Sequence, residues 1–172
     1  MALIKSVKGI RPVFGKNCFL ADNATITGDV VTGDNCSIWF NAVVRGDVHY
    51  IRIGNKVNIQ DCAVIHCTYR KAPVNIGNNV SIAHHAVVHG CTIHDNVLIG
   101  MGSIIMDDAV IGSNSLIAAG AVVSKGIVVE PGSIYGGIPA KKLREVDREL
   151  LEGEIERIAD SYSMYATWYD EE

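Results

Sequence analysis

Residues 93–123 read IHDNVL IGMGSI IMDDAV IGSNSL IAAGAV V when cut into sixes, and every block opens on an aliphatic residue: Ile93, Ile99, Ile105, Ile111, Ile117 and Val123. A period of six is neither the about 3.6 of a helix nor the about 2 of a flat strand. It is the spacing a parallel β-helix requires, because three hexads close one triangular coil and each aliphatic column faces inward along one edge. Upstream, Ile53, Ile59, Ile65 and then Ile76, Ile82, Val88 repeat the pattern. Leu20 with Ile26, and Ile38 with Val44, extend it less regularly.

Corner chemistry fits the same phase. Asn79, Asn96, Asp108 and Asn114 each stand three residues after a column residue. Asn and Asp tolerate the left-handed conformation that a sharp corner demands. Gly54, Gly77, Gly100 and Gly112 follow column residues directly, where a missing Cβ eases the packing of successive coils. Composition agrees: 48% of the chain is hydrophobic but only 6% aromatic, with 17 glycines. Stacked β-branched columns need few aromatic rings.

These features predict an all-β fold, a left-handed parallel β-helix over residues 1–140. The repeat ends after Val123, and Pro131, Gly132 and the run Gly136, Gly137, Ile138, Pro139 punctuate the exit. Beyond that the spacing turns helical, with Leu143, Val146, Leu150, Leu151, Ile155, Ile158, Tyr162, Tyr165 and Tyr169 on one face. A C-terminal helix over 141–172 of the same domain is expected to pack outside the β-helix. Asp147 is its candidate N-cap, with Val146 and Leu151 as a hydrophobic staple. Glu152, Glu156, Arg157 and Asp160 read as its solvated face.

A net charge of −4 and the absence of a long basic run speak against nucleic acid. No stretch approaches the about 20 apolar residues that span a bilayer, and the first residues lack a signal-type apolar core. The five cysteines, Cys18, Cys36, Cys62, Cys67 and Cys91, are odd in number and form no C-x-x-C pair. They read as reduced thiols of a cytoplasmic protein.

Three of the six histidines are placed for chemistry. His66 follows column residue Ile65 and His89 follows Val88, so both point outward from the same face of adjacent coils. At an inter-strand spacing of about 4.8 Å, two such imidazoles can reach one metal ion. From Ile65 to Val88 is 23 residues, more than one coil. The surplus falls near 68–74 and predicts a protruding loop beside the pair. His84, two residues after Ile82, belongs to the preceding face near a corner. It can complete a metal site only from a neighbouring subunit, which implies a threefold assembly with metal between chains. His49, His85 and His94 read as ordinary surface residues.

Arg45-Gly46-Asp47, Asn58-Ile59-Gln60-Asp61, Ile65-His66 and His84-x4-His89-Gly90-Cys91 together resemble the γ-class carbonic anhydrases and their bacterial relatives. Gly100-Met101-Gly102-Ser103 and Gly137-x-Pro139-Ala140-Lys141 extend the resemblance over almost the whole chain. It implies a homotrimer in which His66 and His89 of one subunit and His84 of the next hold Zn²⁺, with Fe²⁺ or Co²⁺ as other metals that suit imidazole. It implies reversible hydration of CO2 to bicarbonate, with zinc making hydroxide available near neutrality. Gln60 would hydrogen-bond the reacting oxygen, Asn58 would support it, and Tyr135 would line the site. Arg45, Asp47 and Asp61 look like the charged cluster that fixes subunit register.

Two positions depart from the family prototype. Val48 stands where the prototype carries a glutamate, and the loop Thr68, Tyr69, Arg70, Lys71, Ala72, Pro73 holds no carboxylate. A retained metal site with slow hydration is therefore expected, His49 and Tyr69 being the remaining proton-transfer groups nearby. The competing expectations are an acetyl-CoA-dependent acyltransferase, a CoA-thioester hydrolase on the same metal, and a non-catalytic metal-binding trimer. An acyltransferase needs one histidine base, not an aligned pair plus a third.

Overall fold

The computed structural model describes residues 1–169. It is a left-handed parallel β-helix of about seven coils with one C-terminal helix laid against its outside. The columns named above are its core: Ile59, Ile65, Ile82, Val88, Ile93, Ile99, Ile105, Ile111, Ile117 and Val123 are all buried. Asn79, Asn96, Asp108 and Asn114 turn corners at φ of 57°, 56°, 61° and 58°. At Gly54 and Gly100 an added Cβ would lie 2.5 Å from the carbonyl oxygens of Gly77 and Ile117, so neither coil could close on its neighbour with a larger residue.

The triangular cross-section gives three walls. The first stacks Val43–Ile53, Val64–His66, Val87–His89, Ile104–Ile105 and Val122–Val123 in parallel register. The second stacks Phe19–Leu20, Ser37–Ile38, Asn58–Ile59, Val80–Ile82, Val97–Ile99, Leu116–Ile117 and Ser133–Gly136. The third carries Val74–Ile76, Thr92–Ile93, Val110–Ile111 and Val128–Val129. The long strands Thr25–Thr32 and Val43–Ile53 run round a corner, so the first and third walls form one sheet.

The exit differs from the sequence expectation. Lys141–Glu145 is not the start of a helix but a strand, paired antiparallel with Ser133–Gly136. The last coil leaves an open edge of backbone N–H and C=O groups, and these five residues cover it. Leu143, expected on the helix's apolar face, is exposed there. Helical structure begins at Arg148, where the Asp147 carboxylate accepts from the Leu150 N–H at 2.8 Å as the cap requires. It continues through a π-helical turn, Leu151–Glu156, into Arg157–Thr167. Ile155 and Ala159 are buried, and Arg157–Thr167 packs against the second wall. Trp39 is buried there, with Tyr162 at 5.2 Å and Tyr169 at 5.8 Å between ring centroids. Asp160 is not purely solvated: it forms an ion pair with Lys56 on the wall.

Candidate metal centre

The register that stacks the core also stacks the chemistry. Arg45 pairs with His66, and His66 pairs with His89, as outward neighbours in three successive coils of the first wall. The two imidazoles lie 5.1 Å apart between centroids, with His66 Nδ1 and His89 Nε2 only 3.1 Å apart. Each ring's other nitrogen is held by a carboxylate. His66 Nε2 donates to Asp47 Oδ1 at 3.2 Å, and His89 Nδ1 donates to Asp107 Oδ1 at 2.5 Å. Arg45 donates to the other oxygen of Asp47 at 2.6 Å, and the Thr68 hydroxyl to that of Asp107 at 2.5 Å.

With the outer nitrogens donating, the inner pair presents two lone pairs to each other. A cation shared between them relieves that repulsion. Two imidazole nitrogens on one tetrahedral zinc sit about 3.3 Å apart, given Zn–N bonds of about 2.0–2.1 Å, so the pair fits such an ion. A carboxylate behind each ring is also the usual support of a metal-ligating histidine. Burial, with the Arg45 guanidinium nearby, keeps His66 below the ordinary imidazole range despite Asp47 beside it. It is neutral at neutral pH, the form that can ligate. Burial pushes Asp47 and Asp107 upward, but hydrogen bonds from Arg45 and His66, and from Thr68 and His89, hold both below the usual carboxylate range.

His84 stands on the second wall, in line with Asp61 one coil earlier. Its Nδ1 is 2.9 Å from Asp61 Oδ2, and its Nε2 is 3.2 Å from the Tyr162 hydroxyl of the C-terminal helix. Burial pushes the Tyr162 phenol up to about 12, so it stays a donor. His84 does not meet His66 or His89 within the chain. Among the described residues, no three His, Cys, Asp or Glu side chains of one chain come together as a metal site.

Gln60 and Asn58 accompany His84. Gln60 Nε2 donates to Asn58 Oδ1 at 2.8 Å, and Asn58 Nδ2 donates to Ser81 Oγ at 2.7 Å, all of them buried. Gln60, His84, Met101 and Tyr162 border a cleft of about 450 Å³ whose other walls are mainly apolar, including Ala83, Leu98, Leu116 and Ile158. Tyr135 lies elsewhere. It pairs with Ile117 in the inward column and packs in the core cluster, because the aliphatic phase continues through position 135. The tyrosine beside His84 is Tyr162.

The loop beside the first pair is present, closed by a Thr68–Ala72 bridge, with Arg70 at φ 52°. Neither residue considered for proton transfer reaches the pair. His49 accepts from the Tyr50 N–H at 2.9 Å, and Tyr69 is exposed between Lys8 and Arg70. Val48 packs against the core. Asp107, Thr68 and Tyr162 were missed as partners of the site. The first had a signal, since it lies 18 residues after His89, one coil further on.

Comparison with known proteins now decides the family. A family model described as bacterial transferase hexapeptide (six repeats) matches residues 90–125. A protein of Methanocaldococcus jannaschii named a probable carbonic anhydrase is 50% identical over 89% of this chain and 93% of its own length. The chain belongs to the γ-carbonic-anhydrase-like hexapeptide-repeat family. Gamma carbonic anhydrase 2, mitochondrial, of Arabidopsis thaliana is 37% identical over 81% of this γ-carbonic-anhydrase-like chain and 52% of its own length. A crystal structure from Bacillus cereus superposes with a TM-score of 0.93 at 41% identity, covering 98% of this chain and 96% of that one. That protein is described, provisionally, as an acetyltransferase.

Proposed function

We propose that this protein is a zinc-dependent γ-carbonic anhydrase-like enzyme that hydrates CO2 reversibly, at sites shared between the subunits of a homotrimer. The observation that carries the reading is the convergent pair His66 Nδ1 and His89 Nε2, 3.1 Å apart, with a carboxylate behind each ring. His84 Nε2 of a neighbouring subunit is the third ligand. Asp61 holds the ring through Nδ1, and Nε2 is released for a metal when the Tyr162 hydroxyl, 3.2 Å away in this chain, turns from it. A Zn²⁺ ion held this way supplies Lewis acidity, bringing the pKa of water to about 7.

The chain's own groups divide the remaining work. The Gln60–Asn58–Ser81 series locks the Gln60 amide, leaving its carbonyl oxygen and one N–H for the reacting oxygen. The apolar walls beside Gln60 and His84 suit a small uncharged molecule such as CO2. Tyr162, protonated throughout the neutral range, donates to the reacting oxygen once it has turned from His84 Nε2. Arg45 and Asp47 orient His66, and Asp107 with Thr68 orients His89. With no carboxylate in the 68–74 loop and Val48 turned to the core, proton export is slow and limits turnover. An acyltransferase reading, favoured by the description of the Bacillus cereus structure, uses a single histidine base and leaves the pair without a purpose.

The test is metal per chain on chelator-free protein together with solution mass, followed by stopped-flow CO2 hydration. About one zinc per chain in a trimer, with slow hydration that a chelator abolishes, is expected. A metal-free protein that binds acetyl-CoA would overturn the reading.

A further inference from the structure

Two thiols away from the metal centre occupy corresponding places in the first two coils. Phe19 pairs with Ser37 and Leu20 with Ile38, so Cys18 and Cys36, each one residue earlier, stack on one another. The Phe19 N–H donates to the Cys36 carbonyl at 2.9 Å. Each cysteine follows an asparagine in the left-handed conformation, Asn17 at φ 54° and Asn35 at φ 56°, which sends both side chains round the corner in the same direction. Cys18 Sγ lies 3.4 Å from the Gly33 carbonyl oxygen and Cys36 Sγ 3.1 Å from that of Gly54, matching positions one coil apart. Parallel neighbours separated by about 4.8 Å fall inside the Cα window of about 4.4–6.8 Å that a disulfide needs. Cys18 is half-buried and Cys36 buried, and both border a cleft of about 380 Å³ closed on its far side by Ser163, Ala166 and Thr167 of the helix.

We propose that Cys18 and Cys36 form a reactive dithiol that hydrogen peroxide closes to a disulfide, Cys18 attacking and Cys36 resolving. The Cys18 thiolate attacks one peroxide oxygen, the O–O bond breaks, and water leaves once the departing oxygen is protonated. Cys18 is then a sulfenic acid. The Cys36 sulfur attacks that sulfur, the S–S bond forms, and the S–O bond breaks to release a second water. Two thiols are oxidised by two electrons and one peroxide is reduced to two waters.

The division of roles has a physical basis. The Cys36 thiol, stacked beside Cys18 with its own hydrogen on the Gly54 carbonyl, holds Cys18 down to about 6 against the opposing effect of burial. The same contact, with burial, pushes Cys36 up. Cys67 and Cys91 are buried and pushed up by burial to about 11 and about 12, which leaves them unreactive. The dithiol shares no residue with the metal centre, so each proposal can fail without the other.

The experiment treats zinc-loaded full-length protein with hydrogen peroxide, alkylates the remaining thiols and maps the peptides. A Cys18–Cys36 cross-linked peptide that dithiothreitol releases is expected. Separately, the pH profile of Cys18 alkylation is expected to have its midpoint near 6. The midpoint is the readout rather than the rate, because about thirtyfold more thiolate at neutrality is offset by roughly tenfold lower nucleophilicity. Cys36→Ala should move that midpoint toward about 8.5 and leave Cys18 as a sulfenic acid trapped by dimedone. Absence of the cross-linked peptide from peroxide-treated wild type overturns the proposal, whether or not the variant folds. So does a Cys18 midpoint that Cys36→Ala leaves unmoved.

Discussion

The coils around His66 and His89 and the coils from Ile99 to Val123 are built on one repeat, yet only the former carry the stacked histidine pair. Where the hexads run unbroken, 18 residues separate Ile105 from Val123, and the outward row continues from His89 into Met106. That wall is apolar and half-open, with Ile104 at 39% and Met106 at 42% exposure. Where the count is broken, 21 residues separate Val44 from Ile65 and 23 separate Ile65 from Val88. The surplus residues leave the wall as the segments that bear Asp47 and Thr68; Asp47 reaches back to His66, and Thr68 to Asp107, the carboxylate that holds His89. A regular coil fixes position to within a hydrogen-bond ladder but has no spare backbone. An interrupted coil keeps the ladder and gains groups that can lean over it.

The largest expected effect lies in the regular part. Ile105→Ala removes a fully buried column residue and should cost about 2–5 kcal/mol. It should lower the thermal midpoint while leaving metal per folded chain unchanged. The groups that hold the histidine pair should answer in the opposite sense. Asp107→Asn is expected to weaken zinc about 10–100-fold in a chelator competition, with little change in the apoprotein's melting. Thr68→Val, which only frees the far oxygen of Asp107, should fall at the lower end of that range. Asp147→Ala, which removes the helix cap, should cost about 1 kcal/mol by denaturant titration. Lys56→Ala breaks an exposed ion pair and should change stability by less than about 1 kcal/mol.

A pH titration tests the regular core from another side. Burial raises Cys91 from 9.0 to about 12. The unfolded thiol therefore ionises first, and the folded form holds its proton over the intervening range. Stability from this group is complete below pH 9.0 and declines as pH rises toward 12. Alkaline denaturation of Cys91→Ala should show a shallower loss across that window.

Most of the fold was legible because its signal is periodic. Ile99, Ile105 and Ile111 declare a column, and Asn96 and Asn114 declare corners, with no appeal to distant residues. His66 and His89 were legible for the same reason, since their register follows from Ile65 and Val88. Asp107 could be read the same way, one coil beyond His89. Tyr162 could not. It reaches His84 from a helix whose docking depends on Trp39 and Tyr169 packing across the second wall, and no spacing connects position 162 to position 84. Tyr135 packs in the core cluster because it continues the inward phase of Ile99 and Ile117, which the repeat itself declares. Lys141–Glu145 was misread because an open sheet edge, absent from any local pattern, recruits whatever extended chain is at hand.

The central claim is that the pair and the third histidine come from different chains, and subunit mixing tests it most directly. His66→Ala and His84→Ala proteins are each prepared metal-free, unfolded and refolded together, and assayed for bound zinc. Alone, each is expected to bind no stoichiometric zinc at the site. Mixed, they should regain it, because a His84→Ala chain still offers His66 and His89 while a His66→Ala chain still offers His84. Heteromers that form and stay empty, or a His84→Ala protein that keeps its full zinc, would contradict the account.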